Sequence, residues 1–384
     1  MKIVVIGGAA NRNVMIEGGV ESVVKNLTLG FENFPEHQLI LLGNQIVPEQ
    51  IGNISYQKIP LVFPRIGINL NFLFFRNKII NKIEKGFQPD IYHFQGTIPN
   101  LLLINKTIQK KVVVTQHGIL REELKYQVGL KSKIKFQIKI FLESSFIKKI
   151  RNMIFISDYN KKYMLAGFPF LKRINSALIY NPVNPLFSVQ TNTKTQENRM
   201  YFVGEIKKRK GLHDLLDAIK ESHQSGIDYV LDVIGGFKEL EYEQEIKKLI
   251  SEDEFLQQNV FFHGWKLPEE IVEIAGNSRY FVLPSYQETL PVSLAEAMAL
   301  GKVVIATSLP GIMEMVEDGK EGKLFQKGNT GELVQILKYF SENPLYADKF
   351  SVQAKQKAAK MFSETAIAEK TINFYKKILI ENQT

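Results

Sequence analysis

RYFVLPSYQETLPVSLAEAMALG, residues 279–301, holds a strand, a turn and a helix in one short stretch. The run YFVLP is apolar at consecutive positions, as in a strand of a parallel sheet covered on both faces. Pro291 suits a first helical position, where its missing N–H costs nothing. The pattern predicts a helix from about Val292 to Leu300, with Gly301 as the C′ residue. The start of such a helix offers unpaired amides and the positive end of the dipole to an anion. Glu288 precedes that start, and Glu296 sits more than one turn inside. A single acid in a first turn can simply complement the dipole. Two that bracket a helix start can also accept hydrogen bonds from hydroxyls, as sugar rings require.

The same unit recurs along the chain. RMYFVGEIKKRKGLHDLLDAIK (199–220) closes a strand on Gly204 and sets Lys207, Lys208, Arg209 and Lys210 ahead of a helix opening near Leu212. A cationic loop at the carboxyl end of a strand can hold a phosphate, with lysine as a point charge. Alone, it can equally be a solvated turn. YVLDVIGG (229–236) ends on Gly235–Gly236, either a plain turn or a close backbone approach to a ligand. NVFFHGWK (259–266) supplies Gly264 and Trp265, the only tryptophan, as a pocket wall or a packing residue. KVVIATSLPGIMEMV (302–316) adds a further strand and turn. In the first half KIVVIG, HQLILLG, DIYHF, KVVVTQHG and NMIFIS alternate with amphipathic stretches such as GVESVVKNLTLGFENF. Apolar strands alternating with helices indicate parallel sheets covered by helices.

At 384 residues the chain exceeds one ordinary core. The polar, aperiodic segment LFSVQTNTKTQENR (186–199) reads as a linker or exposed loop. The expected division is 1–186, 187–362, and a C-terminal helix within 363–384 that packs back on the first domain. The fold class is α/β: two doubly wound, Rossmann-like parallel-sheet domains facing across a cleft, with ligands at the carboxyl ends of the strands. With no cysteine there is no disulfide, thiolate metal site or cysteine nucleophile. The run IVVI is too short for a signal-peptide core and reads as a first strand. IGINLNFLFF is too short to span a bilayer. The expected location is cytoplasmic, peripheral on the inner face of the inner membrane. No D-x-D occurs and the six histidines lack metal-ligand spacing, so neither a metal nor a cofactor is expected.

These motifs, in this order, resemble the retaining family 4 glycosyltransferases of the two-Rossmann, GT-B type. Glu288 and Glu296 stand in an E-x-x-P-x-x-x-x-E-A-M-A-x-G frame, and the family's glycine-to-KG loop is Gly204–Gly211. Its N-terminal GGV turn matches Gly18–Gly19–Val20, and its PD-(I/V)-x-H segment matches Pro89–His93. The strand-ending histidine is His117, the later strand-ending serine is Ser157, and the N-P-V turn is Asn181–Val183. The resemblance covers nearly the whole chain. It implies that Glu288 contacts the donor sugar and Glu296 the ribose. Lys210, with Arg209 and the helix start at Leu290, Pro291, Val292 and Ser293, would hold the diphosphate. Gly204, Gly235 and Trp265 would line the same donor site. Gly18 and Gly19 would lie near the phosphates and the acceptor, and His117 near the transferred sugar, which makes Glu288 and His117 the expected catalytic residues. In the absence of a metal, Lys210 and the helix dipole would stabilise the leaving diphosphate. One position departs from the pattern. The family usually has arginine where this chain has Glu205, and Arg209 is the candidate replacement.

Charge is unevenly spread. Residues 1–185 carry 25 Lys+Arg against 11 Asp+Glu, and the remainder 24 against 29. The first half is therefore expected to meet something anionic. Its most basic segment, KYQVGLKSKIKFQIKIFLESSFIKKIRN (125–152), sets Leu130, Ile134, Ile138 and Phe141 at helical spacing among eight basic residues and one acid, Glu143. This is either a core-facing helix with its lysines in solvent, or a helix lying on an anionic membrane surface. No nucleic-acid module is visible, and no nucleic-acid partner is expected. The expected reaction moves a sugar, with retention, from a nucleotide-diphosphate sugar to a lipid-linked or oligosaccharide acceptor in bacterial surface-glycan synthesis. A UDP-sugar ranks before a GDP-sugar. Two rival readings are a GT-B sugar-nucleotide epimerase and a non-catalytic nucleotide-sugar-binding protein.

Overall fold

The computed structural model describes residues 1–8, 10–11, 18–127, 129–189 and 195–383. The chain forms two compact units, Met1–Pro182 with Glu364–Thr384, and Val183–Ser363.

The first unit holds β1 (Lys2–Ile6), β2 (Gln38–Gly43), β3 (Glu49–Ile51), β4 (Ile54–Lys58), β5 (Ile91–Gln95), β6 (Val112–Gln116), β7 (Asn152–Phe155) and β8 (Asn175–Leu178). Their order is β3-β4-β2-β1-β5-β6-β7-β8. All pairs are parallel except β3 with β4. The sheet is thus mixed at one edge, where a wholly parallel one was expected. Gly52, at φ +56°, allows the tight reversal between those two strands. Strand side chains alternate between two cores. Val4, Ile6, Ile40, Tyr92 and Phe94 meet Phe72, Ile79 and Ile83 of the helix Ile68–Phe87. Ile3, Val5, Leu39, Ile91 and Val113 meet the helix Gly19–Phe31 and the C-terminal helix Glu364–Gln383. Burial of both faces is why these strands read as unbroken apolar runs. The C-terminal helix buries Ile367, Ile372 and Ile378 in this second core, a gross gain of roughly 5–9 kcal/mol. Asn33 Nδ2 also donates to Thr365 Oγ1 at 2.9 Å.

The second unit holds β9 (Gln196–Val203), β10 (Val230–Ile234), β11 (Val260–Gly264), β12 (Ser278–Leu283), β13 (Val303–Thr307) and β14 (Gly322–Phe325). The order is β11-β10-β9-β12-β13-β14, and every pair is parallel. β9 begins inside the segment read as a linker, whose residues 190–194 lie outside the described residues. The polar stretch is accommodated because Arg199 on β9 donates to both oxygens of Asp232 on β10, at 2.6 and 2.9 Å. In each sheet the first strand has neighbours on opposite sides that come later in the chain. β1 lies between β2 and β5, and β9 between β10 and β12. Such a switch point opens a crevice at the carboxyl ends of the strands. No described helix is long and apolar enough to cross a membrane.

Candidate functional site

At the switch point of the second sheet, β9 runs into Gly204 and β12 into the loop that carries Ser285 and Glu288. Gly235, at φ +134°, faces the Gly204 carbonyl so closely that a Cβ would collide with it. Only glycine lets these backbones pass. The Lys210 side chain lies along Gly204, with Cε 3.7 Å from where a Cβ would stand there. Lys210 Nζ donates to Glu288 Oε1 at 2.6 Å, and Ser285 Oγ donates to the same oxygen at 2.8 Å. The two charged side chains are 11% and 9% exposed. Burial alone would raise the Glu288 carboxyl, but Lys210 and Arg209 outweigh it and hold the group below its ordinary value. Burial pulls Lys210 down, and Glu288 opposes that pull.

The loop around Glu288 is braced through backbone. Tyr286 N donates to the Arg209 carbonyl at 2.8 Å, and Arg209 Nη1 to the Gln287 carbonyl at 3.1 Å. Thr307 Oγ1 donates to the Ser285 carbonyl at 2.7 Å. Gly311 abuts the loop, and a Cβ there would strike the Thr289 carbonyl. The basic loop is divided among partners. Lys207 pairs with Glu205 at 2.5 Å and Lys208 with Glu245 at 3.0 Å. Glu205, the departure from the family pattern, is thus turned to Lys207.

The helix opens at Val292, where the pattern placed it, with Pro291 as its N-cap rather than its first helical residue. Its extended ψ of 121° places Pro291 outside the helix. Ala295 N makes a helical bond to the Pro291 carbonyl at 3.3 Å, and Gly301, at φ +69°, closes the far end. Leu290 is buried, while Val292 and Ser293 are half-buried. Glu296 is also half-buried, and burial pushes its carboxyl up to about 8. No cation pairs with it among the described residues. The buried Tyr201 hydroxyl of β9 lies in its field and makes no hydrogen bond among the described residues. Trp265 is half-buried against Gly236, with Lys238 Nζ 5.2 Å from the ring centroid. The structure therefore gathers Gly204, Gly235, Lys210, Arg209 and Glu288 at one switch point, with Trp265 two strands away.

In the first unit Gly18 and Gly19 open the helix Gly19–Phe31, and residues 12–17 before them lie outside the described residues. His117 follows β6. Its Nε2 is 2.7 Å from Gln95 Oε1, and the ring also interacts with the Asn181 side chain. Burial lowers the ring to about 4, against a smaller upward pull from Asn181. His93 is fully buried between the Tyr375 hydroxyl and Thr115 Oγ1, each at 2.6 Å, and falls to about 3 through burial and then His117. Ser157 caps the helix Asp158–Gly167, accepting from Asn160 N at 3.0 Å. Sequence reasoning missed Gln95, Thr115 and Tyr375. The one available signal was a tyrosine hydroxyl on the apolar face of the C-terminal helix.

The basic helix spans Leu130–Phe146, and Glu143 is its buried residue. Leu130, Ile134, Ile138 and Phe141 are 74%, 45%, 54% and 70% exposed. The core-facing arrangement therefore does not hold for this stripe, which faces solvent among the lysines. Glu143 lies inward, accepting from Thr97 Oγ1 at 2.6 Å.

Residues 17–186 match the model of Glycosyltransferase Family 4, and residues 184–360 that of Glycosyl transferases group 1. The chain is 26% identical over 340 residues to an uncharacterized 41.2 kDa protein in the cps region of Klebsiella pneumoniae, covering 84% of this chain and 87% of that one. It is 25% identical over 296 residues to the amylovoran biosynthesis glycosyltransferase AmsK of Erwinia amylovora, covering 74% and 70%. Anabaena Alr3699/HepE, solved in complex with UDP-glucose, shares the fold with a TM-score of 0.73 at 18% identity, over 98% of this chain and 100% of that one.

Proposed function

The chain belongs to the group 1, family 4 glycosyltransferases, with two Rossmann-like domains of the GT-B type, and we propose that it moves a hexose-type sugar from a UDP-sugar to a lipid-linked glycan acceptor with retention. The observation that carries this reading is the buried Lys210–Glu288–Ser285 cluster beside Gly204, at the switch point of the second sheet. Lys210, Arg209 and the start of the helix Val292–Ala299 receive the diphosphate, drawing Lys210 from Glu288. Glu288 is then free to accept hydrogen bonds from the donor sugar. Glu296 accepts from the ribose, and Trp265 flanks the base. The anomeric carbon–oxygen bond to the diphosphate breaks as the acceptor hydroxyl adds on the same face. The hydroxyl proton passes to the departing diphosphate oxygen. Lysine and the helix dipole supply the charge stabilisation that makes departure feasible.

Two comparisons favour the finer parts of the reading. Alr3699/HepE holds UDP-glucose on this fold. AmsK is a glycosyltransferase of amylovoran biosynthesis, which favours a glycan acceptor. The outward stripe of the helix Leu130–Phe146, set among Lys131, Lys133, Lys135 and Lys139, favours an acceptor presented at an anionic membrane surface. The test is Glu288→Gln. Transfer should fall about 100-fold or more, while UDP alone still binds. Transfer by this variant at the wild-type rate would overturn the assignment.

A further inference from the structure

Two carboxylates stand beside the Gly204 turn of the second unit, and each holds one lysine. Glu288 holds Lys210, and Glu205 holds Lys207. Backbone fixes the second pair. Ile206 N donates to the Gly236 carbonyl at 2.9 Å and Lys238 N to the Ile206 carbonyl at 3.3 Å, so the segment after Gly204 runs extended beside Phe237. Ile206 is fully buried. Alternation along an extended segment sends Glu205 and Lys207 out on the opposite side, where Lys207 Nζ donates to Glu205 Oε2 at 2.5 Å. The chain then closes one turn, from Lys210 N to the Lys207 carbonyl at 2.8 Å, and Gly211 at φ +70° ends it. That turn brings the Lys210 side chain back along Gly204, the residue before Glu205. Burial lowers the Lys210 ammonium; Glu288 and, less strongly, Glu205 oppose this, so the Glu205 carboxylate lies within reach of Lys210. The other two cations of the loop have partners elsewhere. Arg209 Nη1 donates to the Gln287 carbonyl, and Lys208 pairs with Glu245. The Lys207 and Glu205 side chains are 28% and 29% exposed, so this ammonium is open to a ligand. An ammonium has three N–H donors. With one on Glu205, the others remain for an incoming anion.

We propose that Lys207 is a second ammonium of the diphosphate site, with Glu205 as its positioning residue: one N–H stays on the carboxylate while the others donate to phosphate oxygens. The proposal rests on the reading of a nucleotide-diphosphate site at Lys210. It gives a use to the position where this chain departs from the family pattern. An arginine there would bring its own charge, whereas a glutamate serves an anion site only by holding a cation, here the lysine two positions on. Charge argues the same way. Around this turn Lys207, Arg209 and Lys210 stand against Glu205 and Glu288, an excess of one positive charge. Without Lys207 the set is neutral, and a diphosphate meets no net attraction. Lysine suits the place because its ammonium is a point charge with rotatable donors, which one carboxylate can hold without using up.

The test is titration calorimetry of the full-length protein, without metal, with UDP, UMP and uridine. Lys207→Met should weaken UDP about tenfold or more, UMP less, and uridine not at all. Lys208→Met removes the same charge from a side chain paired with Glu245 and should leave UDP affinity within about twofold. Glu205→Gln keeps an acceptor for Lys207 and should bind UDP at least as tightly as the wild type. Added to Lys207→Met, it removes the uncompensated carboxylate and should recover part of the loss. Should Lys207→Met fail to fold, the double variant measured against Glu205→Gln reads the same loss. Unchanged UDP affinity in Lys207→Met overturns the proposal. So does a loss shared by uridine, which marks a structural role, or an equal loss in Lys208→Met. UDP that binds the wild type, is lost in Lys210→Met and is kept in Lys207→Met leaves the donor site standing and removes Lys207 from it. Absence of UDP binding to the wild type would bring down the site reading and the proposal together.

Discussion

Replacing Lys210 by methionine removes one charge from a buried pair at nearly constant volume. Glu288, 8% exposed, then keeps the Ser285 hydroxyl at 2.8 Å but loses its nearest cation. Deleting one partner of a buried ion pair costs about 3–5 kcal/mol. At about 2–4 °C per kcal/mol for a unit of this size, melting of the second unit should fall by roughly 6–20 °C. The loss must depend on pH. In the wild type the folded-state pKa of Glu288 is depressed, so its contribution is present above the ordinary carboxylate range. That contribution is lost as pH falls through the lowered value. In the variant, burial dominates and the carboxyl rises, so folding takes up a proton near neutrality. The deficit is then largest at about pH 7–8 and shrinks as the pH approaches the ordinary carboxylate range. Scanning calorimetry of the full chain near pH 7.5 and near pH 5 measures both points. Lys210→Met combined with Glu288→Gln should recover most of the loss, because no unpaired charge is left buried. A midpoint change below about 2 °C, or one equal at both pH values, would refute the reasoning.

Burial raises the Glu296 carboxyl from 4.5 to about 8, so its ionisation opposes folding progressively from pH 4.5 and fully above about 8. Glu296→Gln should therefore raise the melting midpoint more at about pH 8.5 than at about pH 5 while weakening UDP binding by calorimetry; an equal rise at both would contradict the assignment. Lys131, Lys133, Lys135 and Lys139 changed together to glutamate should abolish sedimentation with anionic vesicles, since about 1 kcal/mol per basic side chain amounts to roughly 1,000-fold in binding. Unchanged sedimentation would remove the membrane from the account. Gly311→Ala sets a methyl against the Thr289 carbonyl and should cost about 1–3 kcal/mol in urea unfolding, with weaker donor binding; an unaltered midpoint would show that the Glu288 loop is not braced there.

The strands were readable because both faces of each sheet are buried, so IVVI of β1 and VVV of β6 are apolar at consecutive positions. The same logic failed at the start of β9, where QENR is polar. There Arg199 is neutralised by Asp232 on the next strand, a pairing that periodicity does not encode. The β3–β4 edge escaped because β3 is only three residues long and largely exposed, and the ISYQK of β4 mixes polar with apolar residues. For the helix Leu130–Phe146, spacing identified which side chains share a face. It did not say whether that face turns inward, and the buried Glu143 on the other side fixes the answer. At the site, the two glutamates were legible from their frame within one loop and helix. The contact of Lys210 with Glu288 spans 78 positions, and only the family resemblance joined them beforehand. Gln95 and Tyr375 belong to no motif, and their partners come from other strands and another helix.

The account stands on a nucleotide-diphosphate site at the carboxyl edge of the second domain. Titration calorimetry of the full-length protein with UDP, GDP, ADP and dTDP, without metal, tests it most directly, with the Lys210→Met variant held below its own melting midpoint as control. The account predicts saturable one-to-one binding of UDP, tightest of the four and lost in the variant, with a matching rise in melting midpoint by mass action. Absence of binding by any of the four, or binding that the Lys210 variant retains in full, would contradict it.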